Sequence, residues 1–174
     1  EKGTRGHNIS YTYPYGRHTF SFSYQRSKYH QTVESIPYNF ISVGDSNISM
    51  LSWDYALHRS AAMKTSMDIR LRKRNSHSFL NGVELPIQAM HQTSMEAGFA
   101  ERLYLQHNTL YFRLAHRFGL GWLGAQKEKP YDDAPKTLYR MWLLDVDFVH
   151  PFEFSHRPAT FTTSFHGQYT MDDM

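Results

Sequence analysis

KTSMDIRLRK, residues 64–73, reads in two voices: Thr65, Met67, Ile69 and Leu71 fall on odd positions, and Lys64, Ser66, Asp68, Arg70 and Arg72 on even ones. Successive side chains of a β-strand point to opposite faces, so a period of two sorts aliphatics from charges across one strand. A helix would mix them.

The same sorting recurs outward in both directions. Phe20, Phe22 and Tyr24 oppose Ser21, Ser23 and Gln25; Leu51, Trp53, Tyr55 and Leu57 oppose Ser52, Asp54 and His58. Leu110, Phe112 and Leu114 alternate with Tyr111, Arg113 and Ala115, and Trp142, Leu144, Val146 and Phe148 with Asp145 and Asp147. Phe161, Thr163, Phe165 and Tyr169 alternate with Thr162, Ser164, His166 and Gln168. Weaker alternation covers Ile9, Tyr11 and Tyr13, and the stretch Ile87 to Phe99. The segment Ala89–Leu105 is rich in Met, Gln, Glu and Ala, so a helix there is the competing reading.

Composition agrees with two-faced strands. Aromatics reach 16% while mean hydropathy is −0.60, a pairing that an alternating sheet accommodates. A net charge of +3 is too small for a dedicated nucleic-acid binder, and without Cys neither a disulfide framework nor a Cys-based zinc site can form. No window approaches the roughly 20 apolar residues of a spanning helix. A membrane role therefore demands a closed barrel, the other spanning form that satisfies every backbone polar group.

Tight connections are expected at Pro14-Tyr15-Gly16, His58–Met63, Arg102–Asn108 and around Pro151, and longer polar ones at Lys28–Ser46, Arg74–Pro86 and Phe118–Leu138. Short and long alternate, as in outer-membrane barrels. The expected fold is all-β: an antiparallel up-and-down meander of about eight strands. Its apolar face meets lipid and its polar face the lumen, because Arg or Lys at the mid-membrane lipid face costs about 2–4 kcal/mol. The candidate pore-lining residues are Asp54, Lys64, Asp68, Arg70, Arg72, Arg113, Arg117, Asp145 and Asp147, with His58 on the same side. Tyr13, Tyr15, Tyr104, Phe152 and Phe154 near the tight turns suit an aromatic girdle.

Other chemistry finds little footing. The eleven His residues are scattered without an HExxH spacing, which favours solvent or headgroup positions over a metal site. Asp145 and Asp147 share a face but lack a nucleophile. Arg70-Leu71-Arg72-Lys73-Arg74 reads as a charged rim, with lipopolysaccharide contact the hypothesis within it and nucleic acid disfavoured. Gly119, Gly121 and Gly124 lack the strand-then-helix setting of a phosphate cradle. No cofactor and no enzymatic activity are expected.

The segment Tyr11–Val33, YTYPYGRHTFSFSYQRSKYHQTV, resembles the early barrel of two-partner secretion transporters, the hemolysin secretion/activation (ShlB/FhaC/HecB) family that includes exporters of contact-dependent inhibition toxins. Four further stretches resemble it in order: Leu57-His58-Arg59 with MKTSMDIRL at 63–71, SFLNGVELPIQ at 78–88, RFGLGWLGA at 117–125, and MWLLDVDFVHPF at 141–152 with FHGQY at 165–169. The resemblance implies a bacterial outer-membrane protein whose sixteen-stranded barrel, of which this segment resembles roughly the first half, exports a large exoprotein such as a hemolysin, adhesin or inhibition toxin. It implies a monomeric barrel in contact with lipid and lipopolysaccharide. On the family layout, residues 1–174 are a partial barrel domain, lacking the N-terminal POTRA modules, the plug helix, the Arg-Gly-Phe loop and the second half of the barrel. A passive channel without a dedicated client is the alternative. An outer-membrane barrel enzyme or a soluble carbohydrate-binding sandwich is a third reading.

Overall fold

The computed structural model describes residues 3–33, 39–126 and 137–171. Nine strands are present among them: β1 (Arg5–Tyr15), β2 (His18–Val33), β3 (Phe40–Arg59), β4 (Met63–Leu80), the two-residue β5 (Val83–Glu84), β6 (Met90–Leu105), β7 (Asn108–Leu120), β8 (Arg140–Phe154) and β9 (Arg157–Thr170). Each long strand pairs antiparallel with the next in one sheet, and β5 folds back on β4. The eight-strand meander is as expected. The Ala89–Leu105 segment is strand, not helix: β6 sits between β4 and β7, where its ladder bonds override the helix propensity of Met, Gln and Ala.

The register turns sequence alternation into two surfaces. One row across the sheet reads Tyr13, Phe20, Trp53, Ile69, Ala97, His116, Trp142, Tyr169, and the adjacent row reads Thr12, Ser21, Ser52, Arg70, Glu96, Arg117, Met141, Thr170. A slip of one residue would exchange the faces.

Burial is inverted relative to a soluble protein. Tyr11, Leu51 and Phe165 are more than half exposed, whereas Asp68, Glu96 and Arg113 are at most 5% exposed. Among the described residues the only buried hydrophobics are Ala100 and Ala115. Strands touch only their ladder neighbours, so among the described residues neither a helix nor a second sheet covers the apolar rows. At about 25 cal/mol per Å², leaving such rows in water would defeat folding; a hydrocarbon surround removes that cost.

The turns joining β1 to β2, β3 to β4, β6 to β7 and β8 to β9 lie at 16–17, 60–62, 106–107 and 155–156, all at one end of the sheet. The last was expected around Pro151, but β8 runs on to Phe154. Pro151 pairs with Thr160, and the β7 ladder stops at Val149, so beyond it the β7 side of β8 has no bond for a proline to remove. The actual turn, Ser155-His156, takes left-handed φ of 52° and 60°, a two-residue hairpin without the Asn-Gly that normally signals it.

At the opposite end, the segments read as loops at Lys28–Ser46 and Arg74–Pro86 are largely strand. β2 continues to Val33, β3 starts at Phe40 and β4 extends to Leu80 before turning at Asn81-Gly82, with φ of 50° and 82°. The loop expected at Phe118–Leu138 keeps its place between β7 and β8, with residues 127–136 of it outside the described residues.

Candidate lumenal charge network

The polar face gathers its charges around one guanidinium. Arg113 on β7 donates from Nε to Asp68 Oδ1 at 2.9 Å and from Nη2 to Asp68 Oδ2 at 2.6 Å, a two-pronged pairing with a carboxylate on β4. Its Nη2 also donates to Glu96 Oε1 on β6, and its Nη1 reaches Asp145 Oδ2 on β8 at 3.5 Å. Arg117 Nε donates to the other Glu96 oxygen at 2.8 Å, Arg70 Nε lies 3.2 Å from Asp68 Oδ2, and His166 Nδ1 lies 2.9 Å from Asp145 Oδ1. The network thus links β4, β6, β7, β8 and β9.

The path across β6 exists because Gly98 lies under it. A Cβ there would stand 2.8 Å from both Arg113 Nη2 and Asp68 Oδ1. Gly98 opposes Asp68 on one side and Ala115 on the other, while Ala100 opposes Arg113. Small residues on the central strands leave the space that the long charged side chains fill.

All nine residues singled out in the sequence share this face. Asp68, Arg70, Arg113, Arg117 and Asp145 enter the network. Arg72 lines a groove of about 240 Å³ with Arg70, Glu96, Arg117, Ser23 and Met50. Asp54 stands opposite Asp68, Lys64 between Arg59 and Arg102, and Asp147 between Tyr111 and Ser164. None of these last three makes an ion pair among the described residues.

Three placements differ from the sequence reading. His58 was expected on this face, but a β-bulge between Ala56 and His58 sets it opposite Thr65, on the side of Met67 and Ile69. Tyr104 was expected in the outward girdle, yet it shares the polar face with Arg102 and Tyr111, where the Arg102 guanidinium stacks 5.2 Å from the Tyr111 ring. Glu96, which bridges three arginines, lies outside the nine sequence candidates. Ala97, Gly98 and Ala100 dilute the apolar–polar contrast around it; the trio Ser94, Glu96, Gly98 against Met95, Ala97, Phe99 was the available signal.

The outward face near the tight turns carries the remaining girdle, with histidines built into it. Trp53 Nε1 donates to His18 Nδ1 at 3.0 Å, and His18 stacks on Trp53 and lies tilted against Tyr55. His150 lies between Phe148 and Phe152, its Nδ1 2.6 Å from Asn108 Oδ1. These amphipathic rings suit a headgroup boundary.

Comparison with known proteins supplies a family. Residues 1–174 match the haemolysin secretion/activation protein ShlB/FhaC/HecB profile. The chain is 30% identical over 169 residues to the outer membrane transporter CdiB-2 of Burkholderia pseudomallei (strain 1026b), covering 97% of this chain and 29% of that protein. It is 24% identical over 174 residues to the hemolysin transporter protein HpmB of Proteus mirabilis, covering 98% of this chain and 31% of that protein. In structure it superposes on CdiB from Acinetobacter baumannii with a TM-score of 0.82 at 26% identity, over 98% of this chain and 30% of that one. It also shares its fold with CdiB from Escherichia coli, with a TM-score of 0.90 at 24% identity, over 97% of this chain and 31% of that one. The chain therefore spans less than a third of the length of these relatives.

Proposed function

The chain belongs to the haemolysin secretion/activation protein family ShlB/FhaC/HecB, a family of the bacterial outer membrane, and from that premise we propose that it forms part of the conducting wall of a two-partner secretion transporter. In this reading residues 1–174 are one half of the barrel domain of a monomeric pore. The client is a large secreted exoprotein: a hemolysin, an adhesin or a contact-dependent inhibition toxin. The apolar face meets lipid and lipopolysaccharide.

The observation that carries the reading is the inverted burial, with apolar rows uncovered and charges packed on the opposite face. Asp54, Lys64, Asp68, Arg70, Arg72, Arg113, Arg117, Asp145 and Asp147 line the pore. A conduit must hold a passing chain weakly, since a deep binding site would stall it. The network serves that need: Arg113, Asp68 and Glu96 satisfy one another and offer few free charges to a client.

These 174 residues hold no Cys, so they add no reactive thiol of their own to the test. In a full-length transporter containing this chain, Arg72→Cys or Asp147→Cys is expected to react with a bulky charged thiol reagent, lowering bilayer conductance and the amount of client in the medium. Leu114→Cys is expected to do neither. Equal block from both faces would overturn the pore assignment, and conductance without any client release would favour the passive channel.

A further inference from the structure

The run Arg70–Arg74 invites a search for an anionic lipid at the outer rim, but pairing turns Arg70, Arg72 and Arg74 toward the polar face and leaves only Lys73 outward. The outward cations come from elsewhere. Above the apolar row Tyr11, Phe22, Leu51, Leu71, the next outward row is Ile9, Tyr24, Ser49, Lys73; then His7, Arg26, Asn47; then Arg5, Lys28, Asp45. Within three rows the outward face thus passes from apolar side chains to a cluster of cations on β1, β2 and β4, with Asp45 of β3 among them.

Resting on the outer-membrane reading, we propose that this outward rim, through Arg5, Arg26, Lys28 and Lys73, binds the phosphorylated headgroup of an outer-leaflet glycolipid. The charge balance favours an anion. Among the described residues Asp45 is the carboxylate inside the cluster, accepting from Arg26 Nε at 3.2 Å and Nη2 at 2.8 Å and lying 3.1 Å from Lys28 Nζ. Glu84, farther out, is engaged by His77 Nδ1 at 2.7 Å. Even so, the side chains of Arg26 and Lys28 remain 44% and 55% exposed, with donors to spare. A cavity of about 520 Å³ opens beside Arg5 and Lys28, lined also by Gly3, Tyr29, His30 and Val43, with room for a phosphorylated sugar.

Lys73 completes the rim from the far side. Its ammonium lies 3.4 Å from where a Cβ of Gly124 would stand, and Gln126 N donates to His91 O at 2.8 Å, so the segment after β7 lies close to that cation. Long Lys and Arg stems can lie along apolar surface while their heads reach the boundary, and the guanidinium fork matches phosphate geometry. The choice of a lipid over an acidic protein follows from continuity: the cations adjoin the apolar face directly, so the anion they meet belongs to a molecule whose tails cover that face.

The test uses a full-length transporter containing this chain, purified in detergent and offered bis-phosphorylated lipid A, with retention read by native mass spectrometry. The triple variant Arg26→Ala/Lys28→Ala/Lys73→Ala is expected to retain at least about tenfold less, since each surface cation contributes measurably to anionic lipid binding. Arg72→Ala, next in sequence to Lys73 but facing the other way, is expected to retain as much as the parent. Asp45→Asn, which frees Arg26 and Lys28 from their carboxylate, is expected to retain more. Equal retention by the triple variant, or equal binding of dephosphorylated lipid A or phosphatidylglycerol, overturns the site. Heat-modifiable gel migration separates the two levels: a parent protein without it refutes the barrel reading itself, whereas intact migration with unchanged retention refutes only the lipid site.

Discussion

Strands β3 and β4 pass through two regions with the same ladder and opposite chemistry. Between Leu51 and Tyr55 on β3, and between Met67 and Leu71 on β4, apolar and polar residues alternate strictly. Farther out, Asp45, Ser46 and Asn47 pair with His77, Ser76 and Asn75, and both faces are polar. Asn75 Nδ2 donates to Asn47 Oδ1 at 3.2 Å, and Asn75 Oδ1 lies 3.1 Å from His91 Nδ1. The backbone does not distinguish these regions; the surroundings do. Where, in the proposed reading, one face meets hydrocarbon and the other a wet interior, period two is visible. Where neither face carries apolar side chains, it vanishes although the strand continues.

The comparison can be broken hardest at its charged centre. Arg113→Ala leaves Asp68 and Glu96 buried without their shared partner. Breaking a buried ion pair costs about 3–5 kcal/mol, so a large fall in the urea midpoint of the folded barrel is expected. Asp45→Asn in the outer region, where the partner cations are largely exposed, is expected to leave that midpoint unchanged. Should both variants unfold alike, the distinction between the regions fails.

The next contrast concerns lipid. Leu114→Arg, on the apolar face opposite Phe99 and Leu144, is expected to destabilise by about 2–4 kcal/mol. Asn47→Arg, outward but beyond the apolar rows, is expected to stay within about 0.5 kcal/mol. Refolding into bilayers at several urea concentrations measures both. A smaller effect, about 1–3 kcal/mol, is expected for Gly98→Val, whose side chain must displace the Arg113–Asp68 pairing. Its added signature is functional: with the network parted, the conductance of the pore is expected to change while Gly167→Ala, beside Phe165 on the outward face, leaves it as it was.

The same contrast explains what could be read in advance. Lys64–Lys73 and Trp142–Phe148 announced strand, face and approximate depth, because their two sides face different solvents. The outer parts of β2, β3 and β4 lack that difference, and their sequence reads as loop. Asn81-Gly82 marked a hairpin turn inside the supposed Arg74–Pro86 loop, whereas Ser155-His156 carried no such mark, and Pro151 drew the turn four residues too early. At the charged face, membership was legible for all nine candidates, but partnership was not. His58 crossed sides through a bulge, which adds a residue without a compositional sign.

The amino-acid order alone determined that this chain is a sheet with one apolar and one charged face, since alternation acts through bonds that join consecutive residues. Only the tertiary structure decided that Arg113 meets Asp68, 45 positions away and across an intervening strand. That meeting depends on the register of two ladders and on the missing side chain of Gly98, and neither is a property of any local stretch of sequence.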